Sequence, residues 1–391
     1  MQFTLSKNPF AAALSRCAAI ADGKSSMAML HNVLVTVTPG VVKVFATDLE
    51  VGYATAIEIR DTDFTECAFM TCINAKKLSE CVKAVPSTDV AVCIDAGNHT
   101  LTISGGTASF TLAGLDADEF PAQAAITGDN ITLLAQSLHD ALSPVTYCQS
   151  RDAEKFNLHG CWFKLEENVD GDLFIVTAAT DGHRLCLNTI PVLGDEDHPD
   201  TEQPLDYSEL LAKGVTIPSK AVTEILHLDT EGPAVVTIVG NQLAVAIGTE
   251  TLTLRLIEGE FPDVNRVIPQ NPSQRIIIKR QPLIDALTRV KIATDKENLR
   301  GIDMAVTEDN YGFTLSAAIP MQGIEARDRV TAEIIGAPDP MRFSAEYLLQ
   351  ALSNLGSAQV ELLFSGPMSP LLIMPSGTDF PQAVIMPMRG A

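Results

Sequence analysis

Alternating apolar and polar residues recur along this chain and predict antiparallel β-hairpins. The stretches VLVTVTPGVVKVFATD, HTLTISGGTASFTLAG and AVVTIVGNQLAVAIGTETLTLRLIE are rich in β-branched residues and contain Pro-Gly, Gly-Gly or Gly-Asn pairs, which are typical of turns. Other stretches, starting near residues 9, 74, 135, 219, 281 and 344, repeat apolar residues every three or four positions and predict amphipathic helices. The pattern therefore predicts an α+β fold in which each third of the chain has two helices packed on antiparallel sheets.

The polar faces of these helices are the first candidate binding surface. The first helix is expected to bury Phe10, Leu14 and Cys17 and to stop at Gly23, and Ser344 is expected to cap the last one. Cations recur away from the apolar faces of four helices, but acidic residues accompany them, so a solvated surface explains the pattern as well as a polyanion-binding surface does. The cations are Arg16, Lys76, Lys83, Lys220 and Arg289, and the acidic residues are Glu80, Glu224 and Asp285.

Short recurring signatures indicate an internal repeat. Glu119-Phe120-Pro121 recurs as Glu260-Phe261-Pro262 and as Asp379-Phe380-Pro381, and Ala46-Thr47-Asp48 recurs as Ala179-Thr180-Asp181. Each copy of the second signature closes a β-rich run. Because the two signatures have similar spacings, they predict three homologous domains with the boundaries 1–127, 128–270 and 271–391. The acidic stretch 194–204 is expected to be a loop within the second domain.

Composition narrows the class of protein. The chain has 391 residues and a net charge of −22, and such acidity argues against a partner that is bound through many phosphate contacts. No apolar run approaches the ~18–20 residues that span a bilayer, and the N-terminal segment MQFTLSKNPF lacks the features of a signal peptide. We therefore expect a soluble, cytoplasmic protein with no membrane partner.

Neither the cysteines nor the histidines indicate a metal site or a cofactor. No cysteines form a C-x-x-C pair, no histidines are spaced as H-x-x-x-H, and no glycine-rich phosphate loop occurs. Because most cysteines have apolar neighbours, we expect buried, reduced thiols and no bound metal or cofactor. The cysteines are Cys17, Cys67, Cys72, Cys81, Cys93, Cys148, Cys161 and Cys186.

One segment looks catalytic. In Thr180-Asp181-Gly182-His183-Arg184 an aspartate lies close to a histidine, as in the acid–base pairs of hydrolases. A hydrolase also needs a positioned nucleophile and an oxyanion site, and no residue nearby suggests either. We therefore interpret the segment as an Asp-Gly turn of type I′ with His183 and Arg184 at its rim, and we expect no enzymatic activity.

Several motifs spread over the whole chain resemble one family, the bacterial sliding clamps, which are the β subunits of DNA polymerase III. They keep the order and the approximate spacing of that family. The motifs are Met1-Gln2-Phe3-Thr4-Leu5, Ala46-Thr47-Asp48-Leu49-Glu50, Ala179-Thr180-Asp181-Gly182-His183-Arg184-Leu185, Phe261-Pro262-Asp263, Arg266-Val267, Leu299-Arg300-Gly301 and Met386-Pro387-Met388-Arg389.

The resemblance implies a DNA polymerase processivity factor in which two three-domain chains close head to tail into a ring around duplex DNA. A ring that holds DNA topologically needs only weak, sequence-independent phosphate contacts, so the acidity is no longer an objection. The implied DNA contacts are Lys24, Lys76, Lys83, Arg151 and Lys220, and the implied dimer contacts are Lys291 and Ile292.

The resemblance also implies an apolar pocket for Q-L-x-L-F-like peptides of the polymerase III catalytic subunit, the clamp loader and other partners. Methionine side chains suit such a pocket because they adapt to different ligands. The matching positions are Leu158, Thr180, Gly182, His183, Arg184, Leu185, Pro262, Arg266, Val267, Leu299, Tyr347, Met368, Val384, Ile385, Met386, Pro387, Met388 and Arg389.

Two alternatives stay open at this point: an accessory clamp paralogue with different partners, and a hydrolase built around Asp181 and His183. The chain also departs from the family at Ser344, where Asn is common, at Pro370, where Ser is frequent, and in the ending Arg389-Gly390-Ala391. These departures concern the rim of the pocket and therefore the preference for particular peptides.

Overall fold

The coordinates are a computed structural model and describe most of the chain. The described residues are 1–21, 23–64, 69–95, 97–123, 126–128, 130–192, 213–294, 301–307, 309–336, 339–366 and 368–388. Several residues discussed above lie outside this set. They are Cys67, the acidic stretch 194–204, Leu299, Arg300, Arg389, Gly390 and Ala391.

Within the described residues, six α-helices begin within two residues of the predicted positions. Their apolar stripes explain why they form, since each places buried residues at intervals of three or four. The helix α1 ends at Ile20, before the expected stop at Gly23, and the Ser344 hydroxyl accepts a hydrogen bond from Tyr347 N as predicted for an N-cap. The helices are α1 Lys7–Ile20, α2 Ala75–Ala84, α3 Ala135–Leu142, α4 Ser219–Ile225, α5 Arg280–Val290 and α6 Ala345–Asn354.

The strands confirm the predicted hairpins, and every pairing of the described strands is antiparallel. They are β1 Gln2–Ser6, β2 Asn32–Thr38, β3 Val41–Thr47, β4 Val51–Glu58, β5 Asp61–Thr62, β6 Phe69–Asn74, β7 Asp89–Asp95, β8 Thr100–Gly105, β9 Ala108–Ala113, β10 Asn130–Leu134, β11 Gly160–Glu167, β12 Leu173–Thr180, β13 Arg184–Pro191, β14 Val215–Pro218, β15 Pro233–Val239, β16 Gln242–Ile247, β17 Glu250–Arg255, β18 Gln274–Lys279, β19 Ile302–Val306, β20 Gly312–Ile319, β21 Ile324–Thr331, β22 Glu333–Ile335, β23 Met341–Phe343, β24 Gln359–Phe364, β25 Leu371–Pro375 and β26 Gln382–Ile385.

The described residues form two compact units. The first takes its residues from Met1–Gln136 and Thr223–Leu256. It contains a five-stranded sheet, β5-β1-β7-β8-β9, and an eight-stranded sheet, β10-β15-β16-β17-β4-β3-β2-β6. The eight-stranded sheet joins strands far apart in sequence, because β17 pairs with β4 with Leu252 opposite Tyr53.

The second unit takes its residues from Ser137–Val192, Ser208–Val222 and Ile257–Ala391. It contains a nine-stranded sheet, β14-β11-β12-β13-β26-β25-β24-β18-β22, and a four-stranded sheet, β21-β20-β19-β23. Here β13 pairs with the C-terminal strand β26, with Leu185 opposite Val384. Its main apolar core lies between the sheets and the helices α5 and α6.

The structure changes three details predicted from the sequence. Cys93 is exposed and Cys81 is half-buried, whereas the other five described cysteines are buried. On β7 the side chains alternate between the two faces, so Val92 and Ile94 are buried and Cys93 between them faces outward. Glu224 was expected on an outward face but is 8% exposed.

The third Phe-Pro signature is not a copy of the first two. Phe120-Pro121 and Phe261-Pro262 follow β9 and β17, the last strands of the meanders β7-β8-β9 and β15-β16-β17. Phe380-Pro381 instead precedes β26, the last strand of the meander β24-β25-β26. The interpretation of Asp379-Phe380-Pro381 as a repeat element is therefore wrong. The strand order itself is repeated, since β2-β3-β4, β11-β12-β13 and β19-β20-β21 are successive antiparallel meanders.

None of the described helices is long and apolar enough to cross a membrane.

Candidate functional site: an apolar cavity beside the C-terminal strand

A cavity of about 170 Å³ lies in the second unit, beside the turn that joins β12 to β13. This volume is below the ~300–1,000 Å³ of typical small-molecule sites and suits one or two side chains of a peptide. Four segments surround it: the short 3-10 turn that ends at Leu158, the β12–β13 turn, the residues that follow Phe261, and the end of β26. The lining residues are Leu158, Thr180, Gly182, Arg184, Leu185, Pro262, Asp263, Val264, Val267, Val384 and Met386.

The floor of the cavity is buried and its rim is exposed. Leu185, Val264 and Val384 belong to one apolar cluster and are 3%, 7% and 1% exposed, whereas Val267 and Met386 are each 40% exposed. Exposed apolar side chains around a buried apolar floor are typical of a surface that binds another apolar group.

The alternation of β26 decides which C-terminal residues reach the cavity. Val384 and Met386 line it, whereas Ile385 between them packs in the main core of the second unit. Beyond the strand, Met386 N donates to His183 O at 2.9 Å, which extends the pairing with β13. The backbone of the β12–β13 turn thus holds Met386 at the rim.

Arg184 is the best-fixed charged group of the cavity. Its guanidinium lies between two aromatic rings, 5.4 Å from the centre of Tyr147 and 4.4 Å from that of Tyr347. Arg184 Nε donates to Asp181 Oδ2 at 3.0 Å, and Arg184 Nη1 donates to Gln350 Oε1. With its side chain 11% exposed, Arg184 is a rigid positive group beside an apolar floor.

The β12–β13 turn uses Asp181 for structure. Asp181 Oδ1 accepts hydrogen bonds from the backbone N–H groups of His183 and Arg184, and Oδ2 accepts from the Arg184 side chain. These hydrogen bonds of the carboxylate go to the turn rather than to the His183 ring, so they support the interpretation as a turn. The predicted turn type is wrong: only Gly182 has a positive φ, 89°, which fits a type II′ turn with glycine at the first central position.

The matching region of the first unit has a different aromatic contact. The turn between β3 and β4 matches the β12–β13 turn, with Leu49 at a φ of 78° where the second unit has Gly182. There Phe120 packs edge-on against Phe45, with ring centres 5.8 Å apart. In the second unit the corresponding Phe261 instead stacks on Trp162.

Nine of the predicted pocket residues line the cavity, and seven other described ones do not. His183, Arg266 and Met368 are exposed, and Arg266 forms an ion pair with Asp263. The residues that do not line it are His183, Arg266, Tyr347, Met368, Ile385, Pro387 and Met388. Sequence reasoning missed Asp263 and Val264 as lining residues, although they directly follow the Phe261-Pro262 motif. It also missed Tyr147 and Gln350, whose contacts with Arg184 join distant parts of the sequence.

The other predicted site residues lie on the surface. Lys24, Lys76, Lys83, Arg151 and Lys220 are all exposed. Ile292 is 74% exposed, and Lys291 Nζ forms an ion pair with Glu346 of its own chain.

The thiols near the site are unreactive, and the described residues contain no cluster suited to a metal ion. Burial raises the pKa of both Cys161 and Cys186 to about 12, so these thiols stay protonated at neutral pH. Across the described part of the chain, no group of three His, Cys, Asp or Glu side chains is placed to hold a metal.

Models of one family match the chain in three consecutive segments. The model of the DNA polymerase III beta subunit N-terminal domain matches residues 1–124, that of the central domain matches 132–263, and that of the C-terminal domain matches 265–389.

Proteins of known name and known structure give the same result. The chain is 27% identical to the beta sliding clamp of Pseudomonas putida over the full length of both, and 30% identical to that of a Synechocystis strain over 81% of each. The DNA polymerase sliding clamp of Bacillus subtilis superposes with a TM-score of 0.87 at 22% identity over the full length of both chains. A Pseudomonas aeruginosa sliding clamp bound to griselimycin does so with a TM-score of 0.87 at 23% identity. At such identities the solved structures establish the fold, and the three predicted clamp domains are confirmed by the family models.

Proposed function

This chain belongs to the family of DNA polymerase III beta subunits, the beta sliding clamps, and we propose that it encircles duplex DNA as the processivity factor of a replicative polymerase. In this role it catalyses no reaction. It acts in the cytoplasm, keeps the polymerase on its template and offers a site to other DNA-processing partners.

The observation that carries the proposal is the way in which the sheets join. With the predicted boundaries 1–127, 128–270 and 271–391, β4 lies in the first repeat and pairs with β17 of the second. In the same way β13 of the second repeat pairs with β26 of the third. Among the described strands, β9 and β21 each have one neighbour and a free edge. They are the repeat equivalents of β17 and β4.

A second copy can pair with the free edges of β9 and β21. A free edge presents unpaired backbone N–H and C=O groups, and pairing β9 of one chain with β21 of another would continue the pattern of the two junctions within the chain. Two such contacts close two chains head to tail into a ring. Ile292, exposed and next to α5, supports this assignment because it offers apolar area to the partner.

We assign the contacts with DNA to Lys24, Lys76, Lys83, Arg151 and Lys220. All five are exposed, and Lys76 and Lys83 lie on α2 away from its buried Leu78 and Val82. Such contacts are weak and independent of base sequence, as sliding requires.

We assign the cavity to the short peptides of partners, including the polymerase III catalytic subunit and the clamp loader. Its apolar floor suits the Leu and Phe side chains of a Q-L-x-L-F-like motif, and Arg184 is placed to bond a peptide carbonyl or carboxylate. His183, Arg266 and Met368 would contact residues that extend beyond the buried anchor. Leu299 and Arg389 belong to the same proposed site.

Retention on DNA of different topology tests this function. After loading, the protein should stay on nicked circular DNA through gel filtration and should leave within minutes once the circle is cut. Encirclement would be contradicted if the protein bound linear and circular DNA equally well. It would also be contradicted if the protein stayed on neither form of DNA after loading.

A further inference from the structure

Helices α1 and α5 are equivalent in the repeat. Each has a proline as its third residue and an arginine as its tenth, which are Pro9 and Arg16 in α1, and Pro282 and Arg289 in α5. The buried residues of the two helices lie at matching positions, which are the fourth, seventh, eighth and eleventh. Arg16 and Arg289 therefore occupy equivalent positions in two repeats, and we can compare the carboxylate with which each one pairs.

In the first unit the arginine is held by the neighbouring repeat. Arg16 Nη1 lies 2.6 Å from Glu250 Oε1, and Tyr53 OH donates to the same oxygen at 2.5 Å. Glu250 is the first residue of β17, whereas Tyr53 lies on β4. The Glu250 carboxylate thus ties β17 to α1 through Arg16 and to β4 through Tyr53, and the side chains of the ion pair are only 23% and 19% exposed.

In the second unit the arginine is held by its own repeat. Arg289 Nε lies 2.6 Å from Asp328 Oδ2, and Asp328 is on β21. The strand β21 turns Ala326, Asp328 and Val330 toward α5, as shown by their burial relative to the exposed residues between them. On β4 the residues that face the helix are Tyr53, Thr55 and Ile57, so Asp328 stands where β4 has Thr55.

In the proposed dimer, β9 of the partner chain pairs with β21. This strand has no carboxylate at the position that Glu250 occupies on β17. After the turn Gly106-Thr107, β9 begins with Ala108, just as β17 begins with Glu250 after Gly248-Thr249, and both glycines have a positive φ, 59° and 54°. The pairing of β17 with β4 then gives the register between two copies. It sets Ile324 opposite Leu112, Ala326 opposite Phe110, and Asp328 opposite Ala108.

We propose that the position of this carboxylate sets which junction stays closed and which one separates. This rests on the proposed two-chain ring. Parting β17 from β4 would leave the Arg16 charge without its anion, and an uncompensated, partly buried charge is costly. Parting two copies at β9 and β21 leaves Arg289 paired with Asp328, so this arginine keeps its anion when the junction between chains opens.

Moving the carboxylate across the junction tests the proposal. The double variant Ala108→Glu with Asp328→Thr reproduces the arrangement of the first unit, so the dimer dissociation constant should fall at least about tenfold. Neither single variant should tighten the dimer. Ala108→Glu alone sets two carboxylates around one guanidinium, and Asp328→Thr alone leaves Arg289 with neither. Sedimentation over a concentration series and subunit exchange between labelled dimers provide the measurements.

The matched control is Ser109→Glu with Asp328→Thr. Ser109 is the neighbour of Ala108 and points to the other face of β9, so this pair adds the same charge without reaching Arg289. A folded Ala108→Glu/Asp328→Thr variant that dissociates as readily as the wild type would overturn the inference. A wild-type chain that is monomeric at every concentration would instead refute the ring itself.

If the Ala108→Glu/Asp328→Thr variant does not fold, a reciprocal variant in the first unit tests the same proposal. Thr55→Asp with Glu250→Ala moves the carboxylate of the first unit onto β4, and amide hydrogen exchange in β4 and β17 should then become faster than in the wild type. Unchanged exchange in these two strands would count against the proposal.

Discussion

At the scale of single residues, one glycine shapes the rim of the cavity. Gly182 has a φ of 89°, a conformation that costs side chains of L residues about 1 kcal/mol or more. A Cβ at this position would also lie 3.1 Å from Lys155 Nζ, which donates to Asp181 O at 2.8 Å. A side chain at this position would therefore strain the turn that presents Arg184 and would crowd Lys155.

We expect Gly182→Ala to lower stability by about 1 kcal/mol and to weaken the binding of a Q-L-x-L-F peptide. Gly171→Ala is the control, since Gly171 has the same φ of 89° in the β11–β12 turn and does not line the cavity. Thermal unfolding should show a similar loss in both variants, whereas calorimetry should show weaker peptide binding only for Gly182→Ala. Equal peptide affinity in the two variants would contradict the role of the turn.

At the scale of elements, the sequence predicted the local structure well and the long-range pairing poorly. Helix starts and hairpins follow from residue spacing and turn residues within a few positions, so the six helices and the main hairpins were found. The joining of β4 to β17, by contrast, depends on residues distant in sequence. The stacking of Tyr147 and Tyr347 on Arg184 and the false third Phe-Pro signature have the same cause.

Capping of α6 gives a prediction at this scale. Ser344→Ala removes the acceptor of the Tyr347 N–H group and should cost about 1 kcal/mol. Because Tyr347 packs on Arg184, peptide affinity should also fall. Asn74→Ala removes the equivalent cap of α2 in the first unit and should lower stability similarly while leaving peptide affinity unchanged. Chemical unfolding and peptide titration distinguish the two effects.

Removal of the segment after β26 gives a second prediction. Deleting 386–391 removes the Met386 wall of the cavity and its bond to His183 O but leaves β26 paired with β13. Peptide binding should be lost while dimerisation persists. His183→Ala is the milder companion variant, because its exposed ring lies at the rim. Fluorescence anisotropy with a labelled peptide checks both, and full affinity in the truncated protein would remove the cavity from the proposed site.

At the scale of the whole molecule, both charge and ring topology affect how DNA is held. A chain with a net charge of −22 repels polyanions overall, so a few exposed cations provide only weak contacts. Weak contacts suffice when a closed ring prevents escape, and strong ones would slow sliding. The stability of the closed ring then matters more than affinity for DNA.

Ring closure predicts an effect of Ile292. Ile292→Glu places a charge on a side chain that is 74% exposed in the single chain and is proposed to be buried in the dimer, so monomers should appear at micromolar concentration. Val169→Glu is the control, because Val169 is fully exposed in the β11–β12 turn. Analytical ultracentrifugation gives the masses. A dimer unaffected by Ile292→Glu would move the interface elsewhere.

The lysines predict a dependence on salt. Replacing Lys76 and Lys83 by alanine should reduce the slope of log K against log salt concentration by up to about 0.9 for each charge, equally for unrelated duplex sequences. Lys213→Ala, also an exposed position, is the control and should leave the slope unchanged. Losses that depend on base sequence would contradict non-specific contact.

The cavity of the second unit has a consequence for traffic on DNA. In the proposed ring each chain presents this cavity once, so a pair of chains offers two such sites to client peptides. A polymerase that occupies one cavity leaves a single vacancy. Repair and replication enzymes at the same stretch of DNA then compete for the remaining cavity. Their local concentrations and residence times determine which enzyme acts next.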